Sequence, residues 1–248
     1  MIILSILFFI TAILYSSVGF GGGSTYLALL LIWNIPYYIF PVIALLCNII
    51  VVTGNSINYV KAGNHNFKLL LPFLIGSIPL AFFGGTLKID KEIFEILLFF
   101  VLSIAGLLLF INNKSYEDKN IIIKKINLFI SVLIGSVLGL ISGIVGIGGG
   151  IFLSPILFLL KADRPKNIVT TASLFILINS ISGILGQLTK ETVLNKIFLY
   201  WPLFIAVLAG GLIGNFLNLK ILSSRTLALI TSLLVIFIAI RMGFKIFI

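Results

Sequence analysis

A run of three glycines inside a strongly apolar stretch, written twice, constrains this chain more than any other feature. Val18-Gly19-Phe20-Gly21-Gly22-Gly23 recurs as Val145-Gly146-Ile147-Gly148-Gly149-Gly150, and a leucine closes both matching stretches, at Leu30 and Leu157. Each glycine weakens a helix by roughly 1 kcal/mol relative to alanine, so three in succession predict a break. The flanking segments, Ile2–Val18 and Ile126–Val145, are too apolar to be soluble loops. Irregular backbone in lipid-like surroundings persists only where protein covers it or where it lines a polar cavity.

Composition sets the solvent. Of 248 residues, 60% are hydrophobic and only 10% charged, with a mean hydropathy of +1.26. A soluble domain of this length cannot hide that much apolar surface, so most of it must face lipid. The formal charge of +10 would suggest nucleic acid in a soluble protein. Here the lysines and arginines lie between apolar runs, where they set topology and meet anionic headgroups. Nucleic acid is therefore not expected as a partner. Met1–Phe20 imitates a signal peptide but lacks a basic start and a clean cleavage site, and it has a counterpart before the second glycine run. Cys47 and His65 are single residues of their types, which leaves no disulfide framework and no metal pair. No metal and no cofactor are expected.

Taken in order, the chain predicts a duplicated four-element unit. Each glycine run leads into a short apolar run, Thr25–Trp33 or Ile151–Leu160, of about half a bilayer at ~1.5 Å per residue. Pro36 and Pro165 are expected to open the next helices, a favoured place for proline. Pro36 and Gly54 match Pro165 and Gly183 at one offset, and Pro72 and Gly84 match Pro202 and Gly214 at nearly the same one. So regular an offset indicates an internal repeat. The expected organisation is an all-α polytopic membrane protein: residues 1–111 a first membrane repeat, 112–125 a cytoplasmic linker, and 126–248 a second repeat. Weighing Lys and Arg on the two sides favours broken elements that enter and leave on one side, hence inverted repeats, over elements that each cross once.

An enzyme is not expected. No Asp, Glu or His lies clearly inside a span, Glu95 falling near a helix start, so no general acid or base and no metal cluster is available there. Uncharged polar groups flank the glycines instead: Ser16, Ser17, Ser24 and Thr25 at the first run, Ser142 and Ser154 at the second. A short helix starting after a glycine turn aims unsatisfied N–H groups and its positive dipole end at the break. That arrangement binds anions without side-chain charge. Gly-interrupted apolar segments in both halves of a chain point to a transporter's binding site. Gly21, Gly22, Gly23, Ser24, Thr25, Gly148, Gly149 and Gly150 are thus expected around a small anion, against the alternative that the glycines only allow tight helix packing. The helices after the breaks carry Asn48, Thr53, Asn55 and Asn58, and Thr170, Thr171, Ser173, Asn179, Ser182 and Gln187. Of these, Asn48, Thr171 and Ser173 are the candidates for substrate contact. Hydrogen-bond glue between helices is the competing reading for the set. Cys47 reads as a small apolar filler.

The paired glycine runs, with Thr170-Thr171-Ala172-Ser173-Leu174-Phe175 after the second, resemble the sulfite exporter TauE/SafE family of membrane transporters over essentially the whole chain. That resemblance implies movement of small sulfur-containing anions such as sulfite, sulfonates or thiosulfate across the bacterial inner membrane, often outward. It also implies a ligand role for Thr171 and Ser173, although Ala172 interrupts the pair and the first half has Ala44-Leu45-Leu46 at the matching place. A passive anion channel, or an accessory membrane subunit that transports nothing, would use the same features. Oligomeric state is left open.

Overall fold

The computed structural model describes residues 1–111, 123–190 and 196–217, together with parts of 229–244. Among the described residues all regular structure is helical: α1 (Ile2–Val18), α2 (Gly23–Ile32), α3 (Phe40–Lys61), α4 (Phe67–Thr86), α5 (Lys91–Ile111), α6 (Leu128–Val145), α7 (Gly150–Leu159), α8 (Pro165–Gln187) and α9 (Trp201–Leu217). Both glycine runs interrupt helix, as the residue costs require. Pro165 opens α8 as expected, whereas Pro36 does not open α3. It precedes a single 3-10 turn, Tyr37–Ile39, and α3 begins at Phe40 with Pro41 in its first turn, where a missing N–H costs nothing. Most of the expected linker, 112–122, lies outside the described residues.

Among the described residues, five helical stretches are long and apolar enough to cross a membrane, built on α3, α4, α6, α8 and α9. Their burial separates them. In α3 and α8, 61% and 67% of the apolar window is buried, against 39%, 39% and 33% in α4, α6 and α9. α3 and α8 are thus the central helices, and the others turn large apolar side chains such as Ile75, Leu133 and Phe216 outward.

Glycines set how closely the outer helices approach. A Cβ on Gly135, Gly139 or Gly143 of α6 would strike the carbonyl oxygens of Phe73, Ser77 and Ala81 on α4. The constant spacing of these pairs means that α4 and α6 run in the same direction, backbone against backbone, in the small-residue packing that apolar surroundings favour. α1 and α9 do the same, with Gly210 and Gly214 against the carbonyls of Phe9 and Ile13. Ser16 Oγ adds a 2.8 Å bond to the Gly211 carbonyl, and Ser182 Oγ on α8 donates to the Ile78 carbonyl of α4 at 2.7 Å. α3 and α8 run in opposite directions: Ser56 meets Ser173 at 3.1 Å, and Asn66 just past α3 donates to Asp163 just before α8 at 2.7 Å.

The bundle ends are tied separately. At one end Asp163, almost fully buried, accepts from Asn66 Nδ2, Asn167 Nδ2 and the Arg164 N–H, while the Lys124 N–H donates to the Lys161 carbonyl at 3.0 Å. At the other end Lys196 Nζ donates to Tyr38 Oη at 2.8 Å. Close backbone packing between α4 and α6 makes a test. Gly139→Ala should destabilise the detergent-solubilised protein by about 1–3 kcal/mol through overpacking, read as a lower melting temperature. Gly211→Ala, whose new methyl would have Val51 Cα as its nearest neighbour at 3.7 Å, should leave it unchanged.

Candidate functional site

The first break is built from the end of α1 and the start of α2. Gly19 closes α1 in the left-handed conformation, φ 85°, and its N–H returns to the Tyr15 carbonyl. Gly22, φ 84°, is the N-cap of α2. The second break repeats this: Gly146, φ 90°, closes α6, and Gly149, φ 73°, caps α7, with Gly148 also at φ 80°. Any L side chain would be strained at these positions. No side chain caps either α2 or α7 among the described residues, so the first N–H groups of both helices stay directed at the breaks.

The two breaks touch. A Cβ placed on Gly23 would lie 2.7 Å from the Ile147 carbonyl oxygen, so the start of α2 rests against the second break. Between them sits Asn48 of α3. The same Gly23 position is 2.8 Å from Asn48 Nδ2, the Gly148 position is 2.7 Å from Nδ2, and a Cβ on Gly21 would collide with Oδ1. Asn48 is fully buried, and neither its Oδ1 nor its Nδ2 has a hydrogen-bond partner among the described residues. α8 closes the opposite side. Ile176 Cγ2 is 2.9 Å from the Gly148 Cβ position, and Ser180 Oγ is 3.3 Å from it. Ser180 and Ser24 are likewise buried without partners among the described residues. Each unpartnered buried polar group costs about 1–3 kcal/mol, and several gathered at two bare helix N-termini form a polar centre suited to a ligand.

The sequence-derived candidates divide on this geometry. Gly21, Gly23, Gly148 and Asn48 come together, and Ser24 follows Gly23 in the first turn of α2; Gly22 lies against the rings of Tyr15 and Tyr26, Gly149 against Phe175, and Gly150 against Ile176. Thr25 Oγ1 pairs with Tyr15 Oη at 2.7 Å, a staple across the first break. Ser173 is engaged by Ser56, and Thr171 Oγ1 is buried without a partner among the described residues. Asn58 lies outside the site, donating to Asn215 Oδ1 at 2.9 Å. Cys47 is buried and free. Ser180 and Ile176 were not singled out in the sequence. The signal for Ser180 was its place seven residues after Ser173, on the same helix face.

Among the described residues no cluster of three or more His, Cys, Asp or Glu exists that would hold a metal ion. An apolar groove between α5 and the described part of 236–244, lined by Phe99 and Ile240 among others, includes none of the residues at the breaks. Outside the spans, Lys190 lies just past α8. Its ammonium is pulled down to about 8 by burial and then by Lys88, and it donates to Gln187 Oε1 at 3.0 Å.

The chain is similar in sequence to known proteins named as probable membrane transporters. A probable membrane transporter protein of Sinorhizobium fredii is 27% identical over 235 residues, covering 93% of this chain and 93% of its own length. One from Methanocaldococcus jannaschii is 31% identical over 199 residues, covering 77% of this chain and 73% of that protein. A third, from Bacillus subtilis, is 23% identical over 273 aligned positions, covering 98% and 97%. No solved structure matches the chain. The family model described as sulfite exporter TauE/SafE matches residues 4–242, and the chain belongs to that family.

Proposed function

We propose that this integral membrane protein is a secondary transporter for a small, sulfur-containing oxyanion such as sulfite, a sulfonate or thiosulfate. The anion is held where α2 and α7 begin. One observation carries the reading: the bare N-termini of two half-length helices converge on Asn48, whose buried amide has no partner among the described residues. Backbone N–H groups and positive dipole ends favour an anion there without any cationic side chain. The family description and the relatives' names support transport as the activity. Within the proposed site Gly21, Gly22, Gly23, Gly148, Gly149 and Gly150 supply backbone, and Ser24, Asn48 and Ser180 supply side chains. Thr25 and Ser173 act by holding the break and the two central helices in place, and Thr171 adds a free hydroxyl on α8.

The transport cycle rests on two inverted repeats, residues 1–111 and 126–248, joined by a cytoplasmic linker at 112–125 in the inner membrane. The helix pairings support this. α1 runs with α9 as α6 runs with α4, while the central α3 and α8 oppose each other. The bond between Lys124 and Lys161 brings the approach to α6 and the exit from α7 to one end, as an element entering and leaving on one side requires. That end carries Lys61, Lys124, Lys161, Arg164 and Lys166, the positive side expected of the cytoplasm. Rocking of one repeat against the other would expose the site alternately.

In proteoliposomes, Gly23→Ala and Gly148→Ala should each lower sulfite flux by an order of magnitude or more while Gly211→Ala retains it. Full activity in both site variants would remove the site. Unlabelled substrate on the far side should accelerate uptake, and an open pore would show no such trans-stimulation. In a Cys47→Ser background, Ala62→Cys and Lys166→Cys should react with an impermeant maleimide from one face of the membrane, and Lys88→Cys and Lys196→Cys from the other. Labelling of Ala62→Cys and Lys166→Cys from opposite faces would exclude the inverted arrangement.

A further inference from the structure

Asn48 constrains what kind of anion fits, and this step rests on the proposed binding of an oxyanion at the breaks. A carboxamide has one end that only donates and one that only accepts, and both ends of Asn48 are buried and unpartnered among the described residues. The argument is the same whichever way the amide is turned. An oxyanion without a proton offers acceptors alone. It can satisfy the NH2 group and the N–H groups of α2 and α7, but it faces the Asn48 carbonyl lone pairs with its own, and the mismatch costs as much as an unmade bond. A ligand that carries its own hydroxyl-type proton satisfies both ends.

Charge leads to the same class. The elements that form the breaks, α1, α2, α6 and α7, contain no Lys, Arg or His, and no Asp or Glu. The available positive potential is that of two helix N-termini, each worth about half an elementary charge. Two of them favour at most one negative charge, and the C-terminal ends of α1 and α6, which close at the same breaks, lower that limit further. A second negative charge in so buried a place would be uncompensated, at a steep desolvation cost.

We propose that, of the anions named above, the transported species is of the sulfite type rather than a sulfonate or thiosulfate: a singly charged oxyanion that retains a proton, as hydrogensulfite does, with its oxygens on the N-termini of α2 and α7 and its hydroxyl donating to the Asn48 carbonyl. Substrate and proton then cross together. One hydrogen-oxyanion moved equals one dianion plus one proton, and the proton leaves on the far side according to the substrate's own acidity. This supplies proton coupling to a bundle whose broken elements hold no carboxylate to relay one. Ser180 and Ser24, each able to donate and accept, complete the shell.

The titratable groups on elements packed around Asn48 are few: Tyr15 on α1, Tyr26 on α2, and Cys47, Tyr59 and, at its outer end, Lys61 on α3. α6, α7 and α9 have none, and Lys68 and Lys166 stand at the outer ends of α4 and α8. Phenols and thiols ordinarily ionise above neutrality, whereas Lys190 just past α8 is held at about 8 and His65 lies in the loop before α4. The pH series is therefore repeated in Lys190→Arg and His65→Gln, and a profile unchanged in both reports the substrate.

The test uses the purified full chain in proteoliposomes, with flux through protein-free vesicles subtracted. Total sulfite is fixed while pH is stepped from one unit below to one unit above its second pKa. Carried flux should fall about tenfold, as the monoanion fraction does. Methanesulfonate, a monoanion without a donor, and sulfate, a dianion throughout, should compete poorly. Asn48→Leu should abolish the preference for hydrogensulfite over methanesulfonate, and Asn48→Ser should retain part of it. Should Asn48→Leu fail to fold, the wild-type series still decides. Flux that is flat or rising across that pH range, or methanesulfonate competing equally well, would overturn the proton-bearing substrate while leaving anion transport intact. Absence of flux with every oxyanion would overturn both readings.

Discussion

Backbone amides inside an apolar bundle have to be directed somewhere, and this requirement governs the centre of the protein. Two helices begin at mid-chain breaks, where the first N–H groups of each have no carbonyl one turn back. Water would answer them in a soluble protein. Here the start of α2 rests against the Ile147 carbonyl of the other break, and Asn48 fills the space that side chains on Gly21, Gly23 and Gly148 would occupy. Because the polar centre is built largely of backbone, the anion site proposed there carries no desolvation penalty of a buried lysine or arginine.

The surrounding scaffold is shaped to hold those breaks still. α3 and α8, the two most buried spans, cross the centre in opposite directions and bond to each other through Ser56 and Ser173. Outside them, α6 lies against α4 and α1 against α9 at glycine-lined contacts so close that a methyl group would strike carbonyl oxygen. Each glycine-broken helix is therefore clamped along its length by a long neighbour while its partner half-helix meets the centre. Tyr15 bridging to Thr25 fixes the turn of the first break, and the second relies on glycine alone at three left-handed positions. Contacts of this kind have discrete packings and little compliance, which suits the rigid-unit rocking proposed for the transport cycle.

Much of this was legible in the residues, for physical reasons. Three glycines in an apolar run cannot remain helix, and both breaks fall where that cost predicts. Asn48 was legible as a polar residue on a buried face. Its position between the breaks was not, because that depends on the crossing of α3 and α8. Ser180 carries only a weak mark in the sequence, because a helix serine beside Asn179 and Ser182 is ordinarily glue, and only the fold brings it to Gly148. Ser173 stood in a family-like segment, yet the structure sets its hydroxyl on Ser56. Gly135, Gly139 and Gly143 follow a small-residue spacing that signals packing, but spacing does not say against which helix.

The sequence by itself determined the solvent, the helical class, the two breaks and the absence of charge in the elements that form them, since each follows from transfer energy and local backbone cost. Tertiary structure alone decided that the breaks touch, that Asn48 stands between them with both ends of its amide unsatisfied among the described residues, and which hydroxyls there lack a partner. Those facts arise from contacts between separate helices, such as Gly23 with the Ile147 carbonyl, and no local preference encodes which unsatisfied groups will be brought face to face.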